Sequence, residues 1–137
     1  MTRLVWFRVL RVNLIKNLFS RQALSEHALD SSYLWPGRSG AKYLFQVHPL
    51  GTKFRPVPGI YIYAKRLTDG DWEPIYISQT RDLHQRLEGH VTAADAVENR
   101  ATHLHSHYCT AGQSARFTEE HDLIQRWQPR CNGPVES

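Results

Sequence analysis

Hydrophobic and polar positions change their period several times along the chain, and each change marks an element. Residues 3–24 carry Leu4, Phe7, Leu10, Leu14, Ile15 and Leu18 at helical spacing, which makes a broad apolar face on a basic helix. Residues 30–40, DSSYLWPGRSG, are rich in Ser, Gly and Pro and read as a linker. Tyr43 to Val47 reads as a short strand, ended by His48-Pro49-Leu50-Gly51. Pro56 and Pro58 bracket a turn before Ile60 to Lys65, where Ile and Tyr alternate. Asp69-Gly70-Asp71 turns the chain back into Pro74 to Ser78, with Ile75 and Ile77 on one side and Tyr76 on the other.

Beyond this hairpin the period becomes helical. Asp82 is placed to cap a helix in which Leu83 and Leu87 stand i, i+4, running to about His90. Residues 93–99 extend it or start a second one. Thr102 to Cys109 alternates again as a third strand, and Ser114 is placed to cap a last helix that Pro129 stops. The pattern predicts an α+β fold: a small, mainly antiparallel three-stranded sheet of residues 60–65, 74–78 and 102–108, flanked by helices near 82–91 and 114–128. With Ile and Tyr alternating, the helices should cover the isoleucine face. Ile60, Ile62, Ile75, Ile77, Leu83, Leu87, Phe117, Leu123 and Ile124 are the expected core. The boundaries this implies are a basic helical arm and linker over 1–40, one domain over 41–133, and a tail over 134–137.

Composition narrows the class. At 137 residues and 41% hydrophobic the chain has material for one core. No apolar run reaches the ~18 residues that cross a bilayer. Cys109 and Cys131 have no CxxC spacing and make no disulfide framework, so a reducing, cytoplasmic setting is the default expectation. The net charge of +4 is segregated. Arg3, Arg8, Arg11, Lys16 and Arg21 face no acid in the first 25 residues, whereas eleven basic and eleven acidic side chains balance from Ala41 onward. A neutral domain does not hold a polyanion through bulk charge, so any nucleic-acid function must come from a local site. The arm has the pattern of an interfacial membrane anchor or targeting helix, but an ordinary N-terminal helix, or a non-native extension from an upstream start codon, is the preferred expectation.

Chemistry concentrates between residues 59 and 132. Gly59-Ile60-Tyr61 opens the first hairpin strand and Tyr76-Ile77-Ser78-Gln79-Thr80 closes the second. Arg86 sits in Leu83-His84-Gln85-Arg86-Leu87, with His90 one turn later. Glu120 stands three residues before Leu123-Ile124, and Asn132 ends Gln128-Pro129-Arg130-Cys131-Asn132. Each residue alone is ordinary: strand tyrosines are usually half-buried aromatics, and helix Arg and Glu usually face solvent. In this order, however, the set resembles the GIY-YIG nuclease family, which includes homing and excision-repair endonucleases.

The resemblance implies a metal-dependent endonuclease that hydrolyses phosphodiester bonds in DNA, branched or damaged DNA included. By that resemblance Tyr61 takes the proton of the attacking water with help from His90, and Tyr76 orients water or phosphate. Arg86 stabilises the developing charge, Glu120 holds Mg²⁺ or Mn²⁺, and Asn132 braces the site. The residue types suit the task on their own terms. A guanidinium grips phosphate by two parallel hydrogen bonds, and a hard cation needs one or two carboxylates plus water and phosphate. A phenol of ordinary pKa ~10 is a poor base at neutral pH, so nearby positive charge must lower it.

Ser78 departs from the family, which has glycine there. Serine adds a Cβ and a hydroxyl, which reshapes the site and motivates an alternative: a GIY-YIG-like fold that binds nucleic acid with weakened or no cleavage. A membrane-associated role for residues 3–24 ranks third. His103, His105, His107 and Cys109 alternate along one strand and share a face. Same-face neighbours ~7 Å apart are too distant for easy tetrahedral zinc ligation, so this row is expected to be exposed or substrate-facing.

Overall fold

The computed structural model of the protein describes residues 31–88 and 91–133. The strands are β1 (Ser32–Pro36), β2 (Lys42–Pro49), β3 (Gly59–Arg66), β4 (Trp72–Thr80) and β5 (His103–Tyr108). The helices among the described residues are α1 (Leu83–Leu87), α2 (Val91–Glu98) and α3 (Gln113–Trp127), followed by a 3₁₀ turn at Arg130–Asn132. The class is α+β. The sheet has five strands in the order β1-β2-β5-β3-β4, not the three expected, and the β2·β5, β5·β3 and β3·β4 pairs are antiparallel.

Of the two extra strands only one comes from a segment whose local chemistry hides it. Tyr43–Val47 is extended as expected and joins the sheet beside β5. The expected linker does not stay a linker. Its residues 32–36 form the far edge strand, and Trp35 there is fully buried against Trp127, with its indole N–H donating to His105 Nδ1 at 3.0 Å. The described residues from Tyr33 onward form one compact unit, which starts well before residue 41. The basic stretch 3–24 lies outside the described residues. Among the described residues no helix is long and apolar enough to cross a membrane.

A helix covers the isoleucine face, as expected, and the tyrosine face is covered as well. Ile60, Ile62, Ile77, Trp35 and Phe45 form one cluster with Leu123 of α3. Tyr61, Tyr63, Ile75 and Leu104 form the other, closed by Leu83 of α1 and Ala96 of α2. As a result β3 is buried continuously from Gly59 to Ala64 rather than on alternate residues. Gly59 is required by close approach: a Cβ there would lie 2.6 Å from the His107 carbonyl oxygen and 3.0 Å from Leu83.

One expected core residue is buried on the other face, and one is exposed. Tyr63 pairs with Tyr76 and Ala64 with Pro74, so a bulge leaves Ile75 unpaired and turns it to the tyrosine face, away from Ile77. Phe117 is 46% exposed. The inward stripe of α3 runs through Arg116, Glu120, Leu123 and Trp127 at i, i+4, i+7 and i+11, and Phe117 falls beside it. Leu87 and Ile124 are partly buried and pack on the edges of the two clusters.

The histidine row is also corrected. His105 is fully buried between Trp35 and Trp72, His103 bonds Thr102, and His107 bonds the Leu44 carbonyl. Each ring has its own partner. Among the described residues no three His, Cys, Asp or Glu side chains gather as a metal site.

Candidate active site

The register of β3 and β4 fixes the tyrosines. Tyr61 lies opposite Ser78, and Tyr63 opposite Tyr76, so all four share one face. The Tyr61 and Tyr76 rings are 6.2 Å apart and tilted by 49°, and Tyr61 meets Tyr63 edge-on at 6.0 Å. Tyr61 is fully buried, and its hydroxyl makes no well-formed hydrogen bond among the described residues. Burial raises its pKa above the ordinary phenol value, while the Arg86 guanidinium and the Ser78 hydroxyl nearby pull the other way. Tyr76 is half-buried beside it.

Arg86 projects from α1, a five-residue helix held at its N-terminal end. Asp82 caps it by accepting from the Gln85 N–H at 3.0 Å, and Leu83 anchors it in the tyrosine-face cluster. The Asp82 carboxylate is thereby committed to the cap rather than to Arg86. Arg86 faces the Tyr61 hydroxyl and the field of Glu120. It opens onto a cleft of about 550 Å³ between the end of β4, α1 and the start of α3.

Glu120 and Asn132 reach the site across the open edge of β4. The outward amides of an edge strand need partners, and here side chains supply them. Glu120 Oε2 accepts from the Gln79 N–H at 3.2 Å. Asn132 Oδ1 accepts from the Ile77 N–H at 2.9 Å while its Nδ2 donates to the Ile77 carbonyl at 2.8 Å. Burial raises the Glu120 pKa, and the Gln79 N–H, the Ser78 hydroxyl, His121 and Arg86 counter it in part. The Ser78 hydroxyl, opposite Tyr61 in the register, lowers the pKa of Tyr61 and of Glu120 against the larger effect of burial. Its backbone is ordinary strand, so the serine meets no glycine-only geometry.

Of the six residues singled out in the sequence, Tyr61, Tyr76, Arg86, Glu120 and Asn132 converge on this end of β4. His90 lies outside the described residues. Glu120 offers one half-buried carboxylate, a donor set that fits Mg²⁺ or Mn²⁺ completed by water and phosphate and does not fit a zinc cage. Two contributors were not foreseen: Gln79, which ties Glu120 to the strand, and Arg116, whose Nε donates to Gln79 Oε1 at 3.0 Å. The signal for Arg116 was its position four residues before Glu120 on one helix face. No family model, curated protein or solved structure matches this chain.

Proposed function

We propose that the domain is a GIY-YIG-type endonuclease that hydrolyses phosphodiester bonds in DNA with a divalent cation. The observation that carries this reading is the meeting of Tyr61, Tyr76, Arg86 and Glu120, drawn from four elements, beside one polar cleft. Arg86 grips the non-bridging oxygens of the phosphate and meets the charge that builds on them. Tyr76 holds the attacking water in line, and its proton passes to Tyr61 Oη, whose ionised form burial opposes and the nearby Arg86 guanidinium favours. The water oxygen bonds to phosphorus as the bond to the leaving oxygen breaks. Glu120 holds the cation, which when bound supplies positive charge against the anionic phosphate. Asn132 acts as a positioning residue through the β4 edge.

The test is single-turnover cleavage of labelled DNA, with nicking of supercoiled plasmid as a first screen, across Mg²⁺ and Mn²⁺ concentrations. Glu120→Gln and Glu120→Ala should abolish metal-dependent cleavage, and Arg86→Ala should cost ~10²–10³ in rate. Full activity in Glu120→Gln would refute the metal assignment.

A second reading keeps the phosphate grip without cleavage. It is favoured by one observation: burial raises the Tyr61 pKa, which disfavours the ionised form that would take a proton from water. A parent inactive with every metal and substrate, yet binding DNA, would select it.

A further inference from the structure

We propose that the cleft beside Arg86 is a second phosphate subsite in which Arg116 binds the backbone phosphate adjacent to the one Arg86 holds. The proposal rests on the reading of the domain as one that engages a nucleic-acid strand. Arg116 is only 6% exposed, and arginines this buried are normally paired with an acid. This one is not. Its Nε donates to Gln79, and among the described residues no carboxylate forms an ion pair with it and neither terminal nitrogen has a hydrogen-bond partner. The guanidinium lines the cleft, so its two-pronged end is left for a ligand.

The start of α3 adds to this. Helices leave their first amides without intrahelical acceptors, and a Ser, Thr, Asp or Asn usually caps them. Here the cap position is Gly112 at φ 113°, with no side-chain cap and with Gln113 on the cleft wall. Ser114, expected to cap the helix, lies inside it. A glycine leaves the space above those amides open, and a helix N-terminus favours an anion. Arg81, exposed and on the same wall, brings the cleft to three guanidiniums against one carboxylate, Asp82, whose Oδ1 accepts the cap bond. Polar walls of this kind suit a phosphate rather than a base.

The test is binding of a labelled 15-base-pair duplex to the full chain in EDTA, followed by fluorescence anisotropy across a KCl series. One lost phosphate contact makes the slope of log K against log salt shallower by about 0.9. Arg116→Gln, checked for folding by circular dichroism, should show that change and weaker binding. Arg81→Gln, which has no side-chain hydrogen bond or ion pair to lose among the described residues, should shift the slope in the same direction. A folded Arg116→Gln with the parent's slope overturns the subsite. If that variant does not fold, an unchanged slope in Arg81→Gln overturns it. Parent cleavage with unchanged slopes leaves the nuclease reading standing alone. Shallower slopes with no parent cleavage leave the subsite standing alone.

Discussion

The Asn132 side chain holds Ile77 by both its backbone groups, accepting from the N–H at 2.9 Å and donating to the carbonyl at 2.8 Å. A single amide thus takes the place of the next strand on the open edge of β4. Two net hydrogen bonds are worth about 1–3 kcal/mol together, so Asn132→Ala should lower the urea unfolding free energy by that amount. Asn132→Asp should cost at least as much, because a carboxylate sets negative charge against the Ile77 carbonyl. A parent-like midpoint in either variant would show that the clamp contributes nothing.

Tyr61 is expected to trade stability for function. Its hydroxyl is buried without a well-formed partner, and such a group is costly in the folded state. Tyr61→Phe should therefore raise stability by about 1 kcal/mol, while removing the proton acceptor and with it cleavage. Loss of both stability and activity would mean that the hydroxyl is satisfied in solution.

Ser78→Gly removes a hydroxyl that favours the ionised forms of Tyr61 and Glu120. The pH–rate profile should shift to higher pH in this variant, even if glycine opens more room at the site. An unshifted profile with higher activity would show that Ser78 acts only by its bulk.

Glu120 carries a pH signature. Burial raises its folded pKa above the unfolded value, so the native state binds more protons in the interval between the two. Its contribution to stability is greatest below that interval and falls as pH rises through the folded pKa. Glu120→Gln keeps an acceptor for the Gln79 N–H and removes the titration. Stability curves of the parent and Glu120→Gln should diverge as pH rises past 4.5, the variant becoming relatively more stable. Parallel curves would place the carboxylate in water.

His105 gives the opposite sign. Desolvation lowers its pKa to about 3, well below the unfolded 6.5, so the unfolded chain binds the proton first. Stability is lost as pH falls below 6.5, by up to about 1.4 kcal/mol per unit. His105→Asn, which retains an acceptor for the Trp35 indole, should be less stable overall and show a shallower acid slope. An unchanged acid slope would exclude His105 as its source.

Trp35 decides where the domain begins. A chain starting at Ala41 loses an indole that is fully buried and bonded to His105, a deletion of the kind that costs about 3–5 kcal/mol. Thermal melting should fall sharply in that truncation and much less in a chain starting at Asp30. Equal melting temperatures would mean that β1 is dispensable.

The sequence by itself determined the β3–β4 hairpin, the two helices that carry Arg86 and Glu120, and the order of the candidate residues. Those features rest on local signals: β-branched and aromatic alternation, an Asp-Gly turn, and an Asp cap. Tertiary structure alone decided the rest. Trp35 sits among Ser, Gly and Pro, whose local signal is a linker, and only pairing with β2 and contact with His105 and Trp127 make it core. Arg116 and Glu120 look like a solvated helix face because periodicity assigns charge to the outside. They point inward because the open edge of β4 offers Gln79, whose amide and side chain need partners that no sequence-local rule supplies. Helices on both faces also turn the alternating Tyr and Ile of β3 into one continuous buried run, a choice that belongs to packing and not to period.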